Sequence, residues 1–182
     1  MIDPAVAGRI RLLGLDVDGV LTDNAVYLGL VAGQRVEFKR FDIQDGLGIG
    51  LARRLGMVVA LVSGRYSDAT TLRATELKID EVIQDKEARK VPAMTEMLMR
   101  RGIGWDEVAF VGDDLADLPV LRRVGLPIAV ANAVTEVKEL AAYTTTARGG
   151  SGAVREAIET LFRAQGRWEE AVRTYLGDRG ER

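Results

Sequence analysis

At 182 residues, 47% of them apolar, the chain is long enough to bury a core without disulfides or a structural metal, and it is expected to fold as a single domain over 1–182. Its 25 basic and 27 acidic residues leave a net charge of −2, so it is neither polybasic nor hydrophobic enough to predict nucleic acid or a membrane as partner. With neither cysteine nor histidine, thiolate and imidazole chemistry are excluded, and any catalysis must run on carboxylates, lysine, arginine, hydroxyls and a hard cation such as Mg²⁺.

The opening segment, MIDPAVAGRIRLLG, lacks the basic region, long apolar run and small-residue cleavage site of an export signal, which predicts a cytoplasmic location. It leads into LLGLDV (12–17), an aliphatic run that reads as a buried strand and delivers Asp16, with Asp18 two positions on. Packing alone does not ask for two carboxylates beside apolar residues. Their charge needs a cation or a proton, so the pair marks either a metal site or a tuned acid.

AVYLG and QRVEFKRFD, joined around Val31, Ala32 and Gly33, predict a β-hairpin inserted over about 25–42. DGLGIGLARRLG (45–56) then has helix length and stops at Gly56, and MVVALVSG (57–64) is a second buried strand. SDATTLRATELK (67–78) is a helix with Ser67 and Asp68 as capping candidates, followed by the strand DEVIQ (80–84). VPAMTEMLMRRG (91–102) carries Pro92 in its first turn and ends at Gly102. EVAFVGDD (107–114) is a strand, DLPVLRRVG (117–125) a helix with Asp117 as its expected cap, and LPIAVAN (126–132) another strand. After YTTTARGGSG, the stretches AVREAIETLFRAQ and RWEEAVRTYL predict a helical tail over about 152–182. Strand alternating with helix defines an α/β, doubly wound, Rossmann-like parallel sheet with a short hairpin insertion.

Ligands in such sheets bind beyond the carboxyl ends of the strands. The first strand delivers Asp16, Asp18 and, after a turn, Thr22; the strand ending at Val62 delivers Ser63, Gly64 and Arg65; the strand ending at Val111 delivers Asp113, Asp114 and Asp117; and Lys90 begins a helix between the last two. Carboxylates from two strands make an oxygen cage for Mg²⁺, and a hydroxyl and an ammonium suit phosphate oxygens. An aspartate can be the nucleophile, and a neighbouring acid can serve as general acid and base.

In that order and at those strand ends, LDVDGVLT, VSGR, Lys90 and VGDDLAD resemble the haloacid dehalogenase superfamily of phosphatases. The hairpin in place of a cap domain, QDGLGI, GDDLADLPVLRRVGLPIAVANA, GGSGAVRE and AQGRWEE extend the resemblance to its capless tetrameric branch. The resemblance implies Asp16 as nucleophile and Mg²⁺ ligand, Asp18 as acid and base lending its backbone carbonyl to the metal, and Asp113 as third ligand. It makes Thr22, Asp114 and Asp117 supporting residues, Ser63, Gly64 and Lys90 phosphate-binding, and Asp18, Asp42, Ile43, Gln44, Asp45, Gly46, Arg65 and Arg73 substrate contacts. It further implies a homotetramer whose neighbouring subunits close each site, and a sugar phosphate such as 3-deoxy-D-manno-octulosonate 8-phosphate as substrate.

Two positions depart from the pattern of that branch. Gly50 and Ser151 stand where its octulosonate-type members usually carry cations facing an anionic sugar, whereas Arg65 favours that type over enzymes for nine-carbon sugar acids, which leaves those and a promiscuous sugar phosphatase as alternatives. A phospho-receiver domain would need its acceptor aspartate where the central strand instead ends in Ser63, and a pseudo-phosphatase serving as a binding module would have lost one of Asp16, Asp18 and Asp113, all of which are present.

Overall fold

The computed structural model describes residues 1–180. A short helix α1 (Pro4–Ala7), capped by the Asp3 carboxylate, precedes strand β1 (Leu12–Leu15), whose four residues are all buried. The hairpin strands β2 (Tyr27–Val31) and β3 (Gln34–Phe38) follow, then α2 (Ile43–Arg54), β4 (Val58–Ser63), α3 (Asp68–Glu76), β5 (Glu81–Gln84), α4 (Lys90–Arg101) and β6 (Val108–Gly112). A single turn of α5 (Leu118–Leu121), β7 (Leu126–Ala129), α6 (Thr135–Leu140), β8 (Tyr143–Thr144), α7 (Ala153–Ala164) and α8 (Trp168–Gly177) complete the described chain.

Six strands form one sheet in the order β5-β4-β1-β6-β7-β8, parallel throughout. Continuous apolar runs make this possible, because a sheet covered on both faces needs strands that are hydrophobic on both sides. β1, β4 and β6 are buried almost throughout, with helices α1, α2, α7 and α8 packed together on one side and α4, α5 and α6 on the other. The expectation of a doubly wound α/β sheet is met. The two edge strands, β5 and β8, are the parts of the sheet left half-exposed.

The hairpin forms its own antiparallel two-stranded sheet, with Tyr27 opposite Phe38 and Val31 opposite Gln34. Ala32 and Gly33 turn it with φ of 51° and 78°, the paired left-handed conformation that matches strand twist in two-residue hairpins. Among the described residues it is the insertion that follows β1, in place of a cap domain.

Three short elements escaped the sequence reading: α1, α6 and the two-residue edge strand β8. The helix expected over 117–125 is a single turn, and the expected cap is corrected as well. Asp117 makes no capping bond to α5; Asp114 instead accepts from the Leu115 N–H, and the Asp117 carboxylate turns back to accept from the N–H groups of Asp113 (2.9 Å) and Asp114 (3.3 Å).

Candidate active site

β1 lies between β4 and β6, so the chain leaves the carboxyl ends of three adjacent strands at one place. Asp16 continues β1 by donating its N–H to the Val111 carbonyl, Ser63 closes β4, and Asp113 follows Gly112 at the end of β6. The loop over Val17–Leu21 crosses above Asp113 through Gly19, at φ 95°, where any Cβ would collide with the Asp113 carboxylate. Thr22 is fully buried and locks this loop, donating to the Val17 carbonyl at 3.2 Å. Asn132, just beyond β7, holds it from the other side: its amide donates to the Gly19 carbonyl (3.0 Å) while its carbonyl accepts from the Gly149 N–H (2.6 Å).

Asp16, Asp113 and Asp117 are all buried and bring carboxylate oxygens within 4.8 Å of one another, the one such acidic group among the described residues. Lys90, at the start of α4 and 3% exposed, places its ammonium 2.5 Å from Asp16 Oδ1 and 2.6 Å from Asp117 Oδ1. Burial pulls this ammonium down, but the Asp16 and Asp117 carboxylates outweigh it and hold Lys90 above the ordinary lysine value. Burial and then the neighbouring Asp117 charge push the Asp16 carboxyl up to about 7 against the pull of Lys90. Burial, Asp16, Asp117 and Asp114 push Asp113 up to about 8. One ammonium does not neutralise three ionised carboxylates.

The residues present fit a divalent cation. Asp113 Oδ1 is buried without a hydrogen-bond partner, an arrangement that is costly unless a cation takes the lone pair, and the donor set is all oxygen, as Mg²⁺ prefers. The Asp18 side chain lies outside this cluster. Its two oxygens instead accept from Lys39 Nζ (2.7 Å) and Arg65 Nε (3.3 Å), and Arg65 is itself paired to both oxygens of Glu37 at 2.9 Å.

Ser63 is buried and accepts the Arg65 N–H at 3.1 Å, and Gly64 lets Ala88 approach where a Cβ would meet it at 2.9 Å. The segment 42–46 divides. Asp42 caps α2 by accepting from the Gln44 N–H and Asp45 N–H, Ile43 is 79% exposed, and Gly46 makes room for the Arg73 guanidinium, which donates to the Asp42 carbonyl at 3.3 Å. Asp45 faces the interior: it is fully buried and accepts from the N–H groups of Arg155 (2.8 Å) and Gly152 (3.4 Å) at the start of α7. Burial raises Asp45 to about 6 despite those bonds. The sequence reading missed Lys39, Glu37 and Asn132. The signal for the first two was present, since in the stretch QRVEFKRFD, read as extended, residues 37 and 39 share a face and carry opposite charges.

These features define a class. Residues 59–158 match the haloacid dehalogenase-like hydrolase family, and the chain belongs to it. Within that family it is similar to the 3-deoxy-D-manno-octulosonate 8-phosphate phosphatase of Escherichia coli strain K12, 41% identical over 167 residues covering 92% of this chain and 87% of that protein. The fold matches the crystal structure of 3-deoxy-D-manno-octulosonate 8-phosphate phosphatase from Moraxella catarrhalis in complex with magnesium ion, phosphate ion and KDO, with a TM-score of 0.88, 34% identity and coverage of 94% and 97% of the two chains. It also matches the cobalt-bound enzyme from Haemophilus influenzae, with a TM-score of 0.81, 32% identity and coverage of 90% and 93%.

Proposed function

We propose that this protein is a Mg²⁺-dependent phosphomonoester hydrolase that acts on a sugar phosphate, 3-deoxy-D-manno-octulosonate 8-phosphate before others. The observation that carries the reading is the buried Asp16–Asp113–Asp117 group around Lys90, set at the end of a strand in a chain that is 41% identical to a phosphatase of that substrate. Asp16, Asp113 and the Asp18 carbonyl hold the metal, which when bound offsets charge on the phosphoryl oxygens.

Asp16 attacks phosphorus and carries the phosphoryl group as an aspartyl phosphate. Asp18 gives a proton to the departing sugar oxygen and recovers one from the water that hydrolyses the intermediate. The Ser63 hydroxyl, the Gly64 backbone and the Lys90 ammonium bind the phosphoryl oxygens, while Arg65, Arg73 and the exposed part of 42–46, which includes Ile43 and Gln44, face the sugar. Asp114 and Asp117 support the acidic cluster, Asp117 through the N–H groups of Asp113 and Asp114. The enzyme works as a single-domain homotetramer in the cytoplasm, a neighbour closing each site. Among the described residues no helix is long and apolar enough to cross a membrane.

The test is steady-state phosphate release with Mg²⁺ across sugar phosphates that include the octulosonate ester and nine-carbon sugar-acid phosphates. A kcat/KM advantage of orders of magnitude for the octulosonate ester is expected. Slow and equal turnover of all esters would retain the chemistry and overturn the substrate.

A further inference from the structure

Lys39 is an anomaly in an otherwise solvated hairpin. It sits one residue past β3, yet its side chain is 0% exposed. A buried ammonium is costly unless anionic and polar partners surround it, and its partners are Asp18 Oδ1 at 2.7 Å, Thr70 Oγ1 at 3.2 Å and Glu37 Oε1 at 3.8 Å. Glu37 is in turn fixed by the Ser67 hydroxyl (2.8 Å) and by Arg65. The other cation on Asp18, Arg65, lies at 3.3 Å on Oδ2, is 42% exposed, and is shared with Glu37. The loop that carries Asp18 turns at Gly19 immediately afterwards. Among the described residues, Lys39 is therefore the one contact on the Asp18 carboxylate that is both short and withdrawn from solvent.

We propose that Lys39 is a positioning residue for the reaction: from the hairpin it grips Asp18 Oδ1 and fixes the carboxyl group in the orientation from which Asp18 serves the leaving oxygen. The inference rests on the reading of Asp18 as general acid. In that step a bond forms between Asp16 and phosphorus and the bond from phosphorus to the sugar oxygen breaks. The electron pair goes to the sugar oxygen, which takes the proton of Asp18. A carboxyl free to rotate would seldom present its proton along that line. The polar partners of Lys39 are Asp18, Thr70 and Glu37, none of which is assigned to the phosphoryl group, so its contribution is confined to the steps in which a proton moves, departure of the sugar oxygen and hydrolysis of the intermediate, of which only the first depends on the leaving group.

This separates a positioning role from a structural one by choice of leaving group. A sugar alkoxide needs the proton, whereas 4-nitrophenolate departs as a stable anion and needs little help. In Lys39→Met, kcat/KM, which covers the steps up to departure of the leaving group and excludes hydrolysis of the intermediate, is expected to fall by about 10²-fold on a sugar phosphate, the lower range for loss of general acid catalysis, with a change of about fivefold or less on 4-nitrophenyl phosphate. Lys39→Arg should recover part of the loss. Equal losses of kcat/KM on both esters would overturn the proposal and leave Lys39 as a dock for the hairpin.

Asp18→Asn assayed in parallel keeps the two readings apart. If it loses far more kcat/KM on the sugar ester than on the nitrophenyl ester, the general acid is confirmed and only the Lys39 result decides the proposal. An unchanged ester ratio in Asp18→Asn would remove the general acid and the proposal with it. Should Lys39→Met fail to fold by circular dichroism, Thr70→Val, which removes the hydroxyl 3.2 Å from the ammonium, should shift the ester ratio in the same direction by a smaller factor; an unshifted ratio would count against Lys39.

Discussion

Asp113 shows how a single side chain can demand a partner. Its Oδ1 is buried and unpaired, its carboxyl is pushed up by burial and by Asp16, Asp117 and Asp114, and the Gly19 loop above it leaves no room for a Cβ. A divalent cation takes the unpaired oxygen and offsets the crowded negative charge, so Mg²⁺ should stabilise the folded chain: at a concentration 100-fold above its Kd the gain is about 2.7 kcal/mol, read as a rise in melting temperature. Asp113→Ala should abolish that rise, and a variant that still responds to Mg²⁺ as the wild type does would place the metal elsewhere. Asp16→Asn tests the neighbouring residue. The amide keeps an acceptor for Lys90 but cannot attack phosphorus, so phosphate release should fall to background while the melting temperature stays within a few degrees; an undiminished rate would remove Asp16 as nucleophile. These acids were legible in the sequence because charge at the end of a buried strand has no structural excuse. The orientation of Asp117 was not, since its spacing fitted a helix cap equally well and only the folded turn shows its carboxylate reaching back to the Asp113 N–H.

Between elements, the junction of α2 and α7 is pinned by one carboxylate. Asp45 lies in the first turn of α2 and accepts from backbone N–H groups at the start of α7, a helix whose N-cap, Gly152, offers no side chain. Burial nevertheless raises Asp45 from an ordinary 3.8 to about 6. The folded chain thus holds this proton more tightly than the unfolded chain, so charging Asp45 erodes stability as pH rises from about 4 to about 6, by about 3 kcal/mol in all, and no further above that. Asp45→Asn keeps an acceptor oxygen and cannot ionise. The melting temperature of the wild type minus that of Asp45→Asn should therefore decline between pH 4 and 6 and then level off; a flat difference across that range would refute the assignment. Asp45→Ala, which strands the α7 N–H groups, should cost about 1–3 kcal/mol at pH 7. The motif DIQDG predicted substrate contact across this segment, and sequence could not reveal that its second aspartate points inward at a helix 107 to 110 positions away. At this scale β1, β4, β6 and β7 were readable from uninterrupted apolar runs, whereas β8 has two residues and α6 has six, too few for either periodicity to emerge.

For the molecule as a whole, the strand order β4-β1-β6 assembles the site from one chain, but the hairpin is left unfinished. Lys39, the Glu37–Arg65 pair and the Thr22–Phe41 bridge fasten its base, while Tyr27, Leu28, Leu30, Val31 and Phe38 stand 48–76% exposed on its strands. Isolated two-stranded ribbons are marginal in water, and contiguous apolar exposure on a soluble domain marks a surface that another chain covers. The alternation of AVYLG and QRVEFKRFD announced the hairpin, yet no pattern within one sequence states what packs on it. If subunits meet there, each leucine buried in the interface contributes about 1.5–3 kcal/mol, and the paired change Leu28→Lys with Leu30→Lys, on one face of β2, should convert tetramers to monomers in sedimentation velocity. The monomers should retain the metal-dependent rise in melting temperature, since Asp16, Asp113 and Asp117 come from one chain, but lose most of their kcat/KM on the sugar phosphate if a neighbour closes the site. A wild-type protein that sediments as a monomer with full activity at the assay concentration would show instead that the hairpin closes the site of its own subunit.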